Sequence, residues 1–140
     1  MASQECWGLY EKLFEGYPLR VRLNESIEDY VCHPRYMHQV SISVPLNTVD
    51  ESGFAFPEEC KLLDELETLL KDKLQQQQIS IFAAVLTSSG SRIYILYTYL
   101  PEFCVNTVND LNKDWIYHSL SANAQEDRNW ETIEALMEDA

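Results

Sequence analysis

The sequence is poor in glycine, in basic residues and in long hydrophobic runs. Only four of its 140 residues are glycine, so no segment can wrap phosphate groups, and the glycine-rich signatures of nucleotide-binding and nucleophile-elbow motifs are missing. Ten lysines and arginines stand against 23 aspartates and glutamates, a net charge of −13. Because a chain of this charge repels phosphate, we expect no direct binding to nucleic acid and none to an anionic membrane surface.

Hydrophobic stretches are short throughout the chain. The longest, residues 79–86, is interrupted by Ser80 and has the length of a strand, whereas a membrane helix needs about 20 apolar residues. The first residues contain neither a basic nor an apolar segment, so no signal peptide is visible. The four cysteines are spaced far apart, which favours reduced thiols and predicts a cytoplasmic protein. They are Cys6, Cys32, Cys60 and Cys104.

The apolar residues follow strand and helix periods in alternation. Residues 39–123 predict the order strand, helix, strand, strand, helix, strand. The strands are expected at 39–47, 79–87, 92–99 and 115–122, and the helices at 57–75 and 101–111. This order is that of a split βαβ unit, so the predicted fold is α+β, a ferredoxin-like two-layer α/β sandwich with a βαββαβ core. The chain length fits a single domain.

Two further segments flank the predicted core. Residues 6–24 predict an N-terminal β-hairpin that extends the sheet. Residues 127–138 predict a C-terminal helix that Asp127 caps and that packs on the domain by one apolar stripe. The stripe consists of Trp130, Ile133 and Met137.

A two-layer sandwich leaves one face of its sheet without the core helices. We expect that face to carry Ser41 and Ser43, or their neighbours, together with some of the tyrosines of the strand predicted at 92–99. The tyrosines are Tyr94, Tyr97 and Tyr99. Tyrosine suits contact surfaces because it is large and rigid and keeps a polar tip, although the same rings are also ordinary half-buried strand residues.

The segment 30–38 concentrates side chains that bind metals or act as nucleophiles. Cys32, His33 and His38 offer sulfur and nitrogen ligands of the kind that zinc prefers. Neither Cys-x2-Cys nor His-Glu-x-x-His is present, so we expect no metal or other cofactor and assign no catalytic residue. A Cys–His pair also suits nucleophilic catalysis, which leaves an enzyme of unrecognised type using this loop as an alternative.

Acidic residues cluster in two stretches that are distant in the sequence. If the fold brings the stretches together, they form a negative face for the lysines and arginines of a partner. We therefore predict a non-catalytic interaction or regulatory module that binds a protein with a basic surface; a face that serves solubility alone is the alternative. The predicted partner-binding residues are Glu25, Glu28, Asp29, Glu126, Asp127, Glu131 and Glu134.

A series of short strings spans nearly the whole chain in a fixed order. It begins with Tyr17–Asn24, His33-Pro34 and Val44–Asn47, and it ends with Asp127 and Trp130. The strings between them are Gly53, Pro57-Glu58-Glu59, Leu66-Glu67, Leu86-Thr87, Gly90-Ser91-Arg92 and Tyr97. In this order the strings resemble the bacterial domain-of-unknown-function family 695.

That resemblance implies an α/β fold and no established reaction or active site. The hairpin residues Thr87, Gly90 and Arg92, with the later Asp127 and Trp130, are similar more remotely to the B-type regulators of ribonuclease activity. Those regulators are small acidic proteins that bind a ribonuclease and inhibit it. The remote similarity implies inhibition of an enzyme, so an immunity-type inhibitor of a toxin or nuclease is a further alternative.

Overall fold

The structure, a computed structural model, describes residues 7–138, in which six strands and three α-helices are found. The strands are β1 (Trp7–Phe14), β2 (Tyr17–Asn24), β3 (His38–Pro45), β4 (Ser80–Ser88), β5 (Ser91–Thr98) and β6 (Ser121–Glu126). The helices are α1 (Pro57–Leu74), α2 (Pro101–Asp114) and α3 (Glu131–Glu138), with a 3₁₀ turn at Gln76–Gln78. The predicted α+β class is confirmed.

All six strands form one sheet in the order β1-β2-β4-β5-β3-β6, and every neighbouring pair is antiparallel. The predicted hairpin is β1 and β2, although Cys6 lies outside the described residues. Glu15 and Gly16 join the two strands with φ angles of 52° and 86°, which make a type I′ turn that matches the twist of a hairpin. Within the described residues, β1 and β6 are the edges of the sheet.

The two long helices pack on the same face of the sheet. Pro57 and Pro101 each occupy the first turn of a helix, where the fixed φ of proline is favourable. Side chains at helical spacing then enter one apolar core together with Val40, Ile42 and Val44 of β3. They are Leu63, Leu66, Leu70 and Leu74 of α1 and Cys104, Val108 and Leu111 of α2.

The opposite face is covered, contrary to the expectation of an open tyrosine surface. The segment 25–37 and α3 lie over it and close a second apolar core, which includes Ile27, Ile133 and the fully buried Trp130. Tyr97 stacks on Trp130 with ring centroids 3.8 Å apart, and Tyr94 belongs to the first core beneath α1. Burying the large apolar side chains of these two segments against the sheet removes their area from water, and this favours the covered arrangement.

The last strand was expected at 115–122, and that prediction is wrong. Residues 115–120 form a loop, and β6 begins at Ser121. Trp115 and His118, which contributed to the strand signal, are held instead by side-chain hydrogen bonds, because Trp115 donates to His118 and His118 contacts Glu59. β6 pairs with β3 although its sequence is polar, since most of its side chains are exposed at the sheet edge.

The C-terminal helix begins at Glu131 rather than at residue 127. Trp130 has a φ of 51°, so the chain turns in a left-handed conformation before the helix starts. Asp127 does cap the helix, as predicted, because its Oδ1 accepts a hydrogen bond from the Glu131 amide at 3.0 Å. Of the predicted stripe, Trp130 and Ile133 are buried, whereas Met137 is 41% exposed.

The hairpin is attached to α1 by a charged cluster. Arg22 donates two hydrogen bonds to Glu67, at 2.8 and 3.1 Å, and Lys71 lies 3.2 Å from the same carboxylate. Both cations also lie over the Trp7 ring. Burial raises the pKa of Glu67, but Arg22 and Lys71 outweigh it and hold that pKa below its ordinary value.

Candidate functional site

The carboxylate of Glu59, in the first turn of α1, is buried and hydrogen-bonded on both of its oxygens. It accepts hydrogen bonds from the Asn47 amide at 2.7 Å, from the Thr48 amide at 2.7 Å and from the Thr48 hydroxyl at 2.6 Å. His118 Nε2 lies 2.7 Å from Oε2, the oxygen that also accepts from the Asn47 amide. Burial opposes ionisation, yet these donors lower the pKa of Glu59 to about 2.

His118 completes this network from the loop between α2 and β6. Trp115 Nε1 donates to His118 Nδ1 at 3.1 Å, so the ring proton resides on Nε2 and is donated to Glu59. The Asn47 side chain also donates to the Tyr117 carbonyl at 2.7 Å. Because the His118 side chain has no solvent exposure, this network positions two loops and offers no contact to a substrate.

The loop that the network holds presents apolar side chains to solvent. Ile116 is 82% exposed and Tyr117 is 47% exposed, directly before β6. The Glu59–His118 network therefore holds these two exposed apolar side chains in the loop that leads into β6.

The two acidic stretches lie side by side over the second face of the sheet. The Asp127 amide donates to the Met37 carbonyl at 2.8 Å, and Trp130 Nε1 donates to the Tyr36 carbonyl at 2.8 Å. Cys32 Sγ donates to the Asn129 carbonyl at 3.3 Å. We call the segments 25–37 and 126–138, joined by these contacts, the acidic face.

The acidic face holds a large share of the net charge. It contains eight carboxylates and two arginines, a net of −6 out of −13. Arg128 pairs with Glu126, and Arg35 lies over the Tyr99 ring. Five of the predicted residues are exposed and form no ion pair with any residue of 7–138. They are Glu25, Glu28, Asp29, Glu131 and Glu134.

Asp127 differs from the other predicted residues because its carboxylate accepts hydrogen bonds from side chains of the sheet. Its Oδ2 accepts from the Tyr97 hydroxyl at 2.7 Å and from Gln39 Nε2 at 3.1 Å. Gln39 Nε2 also lies 2.9 Å from Thr132 Oγ1. Burial raises the pKa of Tyr97, and Asp127 raises it further although Gln39 acts in the opposite direction. Gln39, Tyr97 and Asp127 therefore connect the sheet to α3, and we call these three residues the joint.

The candidate ligands of the 30–38 loop are not brought together. Cys32 contacts the Asn129 carbonyl, and His33 Nδ1 accepts from the Arg35 amide at 3.1 Å. His38 lies in β3, where its buried Nδ1 has no hydrogen-bond partner in the described part of the chain. Within residues 7–138 no group of three or more His, Cys, Asp or Glu side chains is arranged to hold a metal ion.

The described cysteines are unpaired and lie in different environments. Cys32 is exposed, and Cys60 is partly buried beside the Ala55 carbonyl. Cys104 is buried and contacts the hydroxyls of Ser80 and Thr98. Their recorded partners are hydroxyl and carbonyl groups, so the geometry gives no nucleophile–base pair. Cys6 lies outside the described residues.

Residues 7–138 line several surface clefts, of which two bear on binding. One, of about 480 Å³, separates the start of α2 from β6. Its lining is mixed in character: His38, Pro101, Glu102, Val105, Asn106, Ala124, Gln125 and Glu126. The other, of about 360 Å³, is an apolar groove beside α3 that includes Phe14, Leu19, Leu86, Ile93 and Leu136. Within residues 7–138, none of the helices α1 to α3 combines the length with the apolar character that a membrane-spanning helix requires.

Sequence reasoning missed the role of Glu59 and the position of β6. Glu58 and Glu59 both fit a favourable interaction with the helix dipole, and only Glu58 is exposed. The signal that separates them is periodicity, because Glu59 stands four residues before Leu63 and seven before Leu66 on the buried face of α1.

Comparison with known protein families gives a match over nearly the whole chain. The profile of the family described as "Family of unknown function (DUF695)" matches residues 5–137. No curated protein and no solved structure matches the chain, so the more remote similarity to ribonuclease regulators stays a prediction. A match over nearly the whole chain is what the ordered strings between Tyr17 and Trp130 predict, and the chain belongs to the DUF695 family of unknown function.

Proposed function

We propose that this protein is a non-catalytic interaction module that binds a protein partner with a basic surface. The observation that carries the proposal is the junction of the two acidic stretches, which hydrogen bonds from Asp127 and Trp130 hold against the 25–37 segment. The junction concentrates a net charge of −6 on one side of the sheet. Complementary lysines and arginines would bind there through charge-assisted contacts.

The proposal includes a physical mode of association. A partner is attracted over distances comparable to the Debye length, about 8 Å at physiological ionic strength, so added salt slows its association. Nucleic acid is repelled by the same field, so the protein acts on nucleic-acid enzymes, if at all, by covering their basic grooves.

We also propose that β3 to β6 with α1 and α2 form a ferredoxin-like unit. The supporting observation is that β3 lies between β5 and β6, with α1 and α2 packed on one face of the sheet. In this assignment the hairpin β1–β2 extends the sheet beyond β4.

We further propose a cytoplasmic location, since Cys32, Cys60 and Cys104 are unpaired, as is usual in a reducing compartment.

Affinity capture with matched charge variants tests the binding proposal. The face variant combines Glu28→Gln, Asp29→Asn, Glu131→Gln and Glu134→Gln. The control variant combines Glu58→Gln, Asp64→Asn, Glu65→Gln and Asp72→Asn, which remove the same charge from exposed positions of α1 over the opposite side of the sheet. The wild type and the control should capture the same basic protein from native lysate, and the face variant should lose it.

Titration of the identified partner then measures its affinity at increasing salt. We expect the dissociation constant to rise steeply with salt for the wild type and the control. Equal affinity for all three proteins, an affinity independent of salt, or tight and salt-sensitive binding of the purified protein to RNA would each contradict the proposal.

A further inference from the structure

The outer edge of β6 has free backbone hydrogen-bonding groups. Within residues 7–138, β6 pairs with β3 alone. The Asp127 amide donates to Met37 across this pair, and in an antiparallel ladder bonding toward one neighbour recurs at every second residue. Residues 121, 123 and 125 therefore face β3, and the amides and carbonyls of 122, 124 and 126 point outward.

The side chains of β6 leave this edge open. Ala122 packs on the first core, so Ala124 and Glu126 also lie on the side of α2. Alanine is too small to fill the space between β6 and Val105 of α2, and the cleft of about 480 Å³ results. β6 contains neither lysine nor proline, which natural edges use to prevent pairing.

Charge determines what this cleft accepts. Glu102 and Glu126 line it, and the cleft contains no lysine or arginine among its lining residues. Glu126 pairs with Arg128, but both side chains are more than half exposed, so an incoming cation can exchange with the arginine. The exposed Ile116 and Tyr117 lie at the other end of the same edge.

We propose that β6 is a strand-addition site for an extended, lysine- or arginine-containing segment of the partner protein. The segment pairs with the outward backbone groups of Ala122, Ala124 and Glu126. Its basic side chains enter the cleft beside Glu102, and an apolar side chain covers Ile116. This inference rests on the proposed function, because it specifies how the basic partner is held.

The opposite edge provides an internal control. In the type I′ hairpin Phe14 and Tyr17 form the hydrogen-bonded pair, so Leu13 directs its amide away from β2. Residues 7–24 contain three basic and two acidic residues, so this edge has no negative field for a basic segment. A proline at Leu13 thus changes an edge in the same way without touching the proposed site.

The test uses Ala124→Pro and, as the matched control, Leu13→Pro in the full chain. Each substitution removes an outward amide and no bond of the sheet, so both proteins should melt near the wild-type temperature. The probe is a synthetic peptide of alternating lysine and valine, about six residues long as in a typical strand. Ala124→Pro should weaken its binding about fivefold to tenfold, while Leu13→Pro should leave it unchanged.

A second peptide of the same charge is N-methylated at two neighbouring central residues, whose amides point to opposite edges, so that neither of its edges can pair fully. It should bind the wild type at least about fivefold more weakly than its parent. Equal binding of the two peptides, no binding of either, or unchanged binding by a folded Ala124→Pro protein would overturn strand addition. If the partner captured from lysate is lost by the face variant but retained by Ala124→Pro, strand addition fails and the proposed function stands.

Discussion

His118 and Glu59 are hydrogen-bonded at 2.7 Å although 59 residues separate them in the chain, and the side chains are 0% and 4% exposed. The pair connects the start of α1 to the loop that leads into β6. Because Trp115 satisfies the second ring nitrogen of His118, the connection is complete on both sides. A buried carboxylate with this many donors makes the position of β6 depend on α1.

Acid should destabilise the protein through Glu59. Its pKa falls from 4.5 to about 2 on folding, so its stabilisation is present above pH 4.5 and is lost as the pH falls toward 2. The shift corresponds to about 3 kcal/mol at neutral pH. Glu59→Gln should flatten the decline of the urea midpoint between these pH values, whereas Glu58→Gln, at an exposed neighbouring position, should not. A parallel decline in wild type and Glu59→Gln would contradict this account.

Trp130 should be the largest single contributor to the second core. Trp130→Ala removes a fully buried ring and its hydrogen bond to the Tyr36 carbonyl, and such truncations cost about 3–5 kcal/mol. Ile116→Ala removes a side chain that is 82% exposed and should change stability by less than about 0.5 kcal/mol. Calorimetric melting of the two variants compares them directly, and similar melting temperatures would mean that Trp130 is not packed as described.

Alkaline pH should weaken the joint between the sheet and α3. Burial and Asp127 raise the pKa of Tyr97, so its stabilisation is present below the ordinary tyrosine pKa near 10 and is lost at higher pH. Tyr97→Phe should cost about 1 kcal/mol at neutral pH and should reduce the loss of stability above pH 10. Tyr17→Phe, at an exposed position, serves as control. Urea midpoints measured at neutral and alkaline pH provide the comparison.

The two arginines of β2 should differ in their contribution to stability. Arg22→Met leaves the buried Glu67 with Lys71 alone and should cost about 1–3 kcal/mol. Arg20→Met breaks an exposed pair with Glu11 and should cost at most about 1 kcal/mol. Equal losses in chemical denaturation would show that burial of Glu67 does not set the energetic order.

The sequence predicts most of this fold because its apolar periods are regular. Val40, Ile42 and Val44 alternate along β3, and Cys104, Val108 and Leu111 repeat along α2, so each element and its buried face could be assigned. β6 could not be found in this way, because an exposed edge strand needs no apolar alternation and Trp115 to His118 supplied a stronger strand signal nearby.

The acidic composition of the site could be predicted from the sequence, but the contact between its two segments could not. Two acidic stretches are visible in the sequence, but their contact depends on Trp130 reaching the Tyr36 carbonyl across 94 residues. The same limit applies to Glu59, whose donors Asn47 and Thr48 come from a loop with no strand or helix period. Such contacts arise from tertiary packing, and a single sequence contains no local pattern that encodes them.

The joint formed by Gln39, Tyr97 and Asp127 has a consequence for the order of folding. Gln39 and Tyr97 are 58 residues apart, and Gln39 and Asp127 are 88 apart, so this side of the molecule has high contact order. During synthesis β3, β4 and β5 emerge before residue 127, and the sheet surface around Ile95 then has no Trp130 to cover it. A nascent chain arrested at that stage exposes an apolar surface and is a target for chaperones or a seed for aggregation.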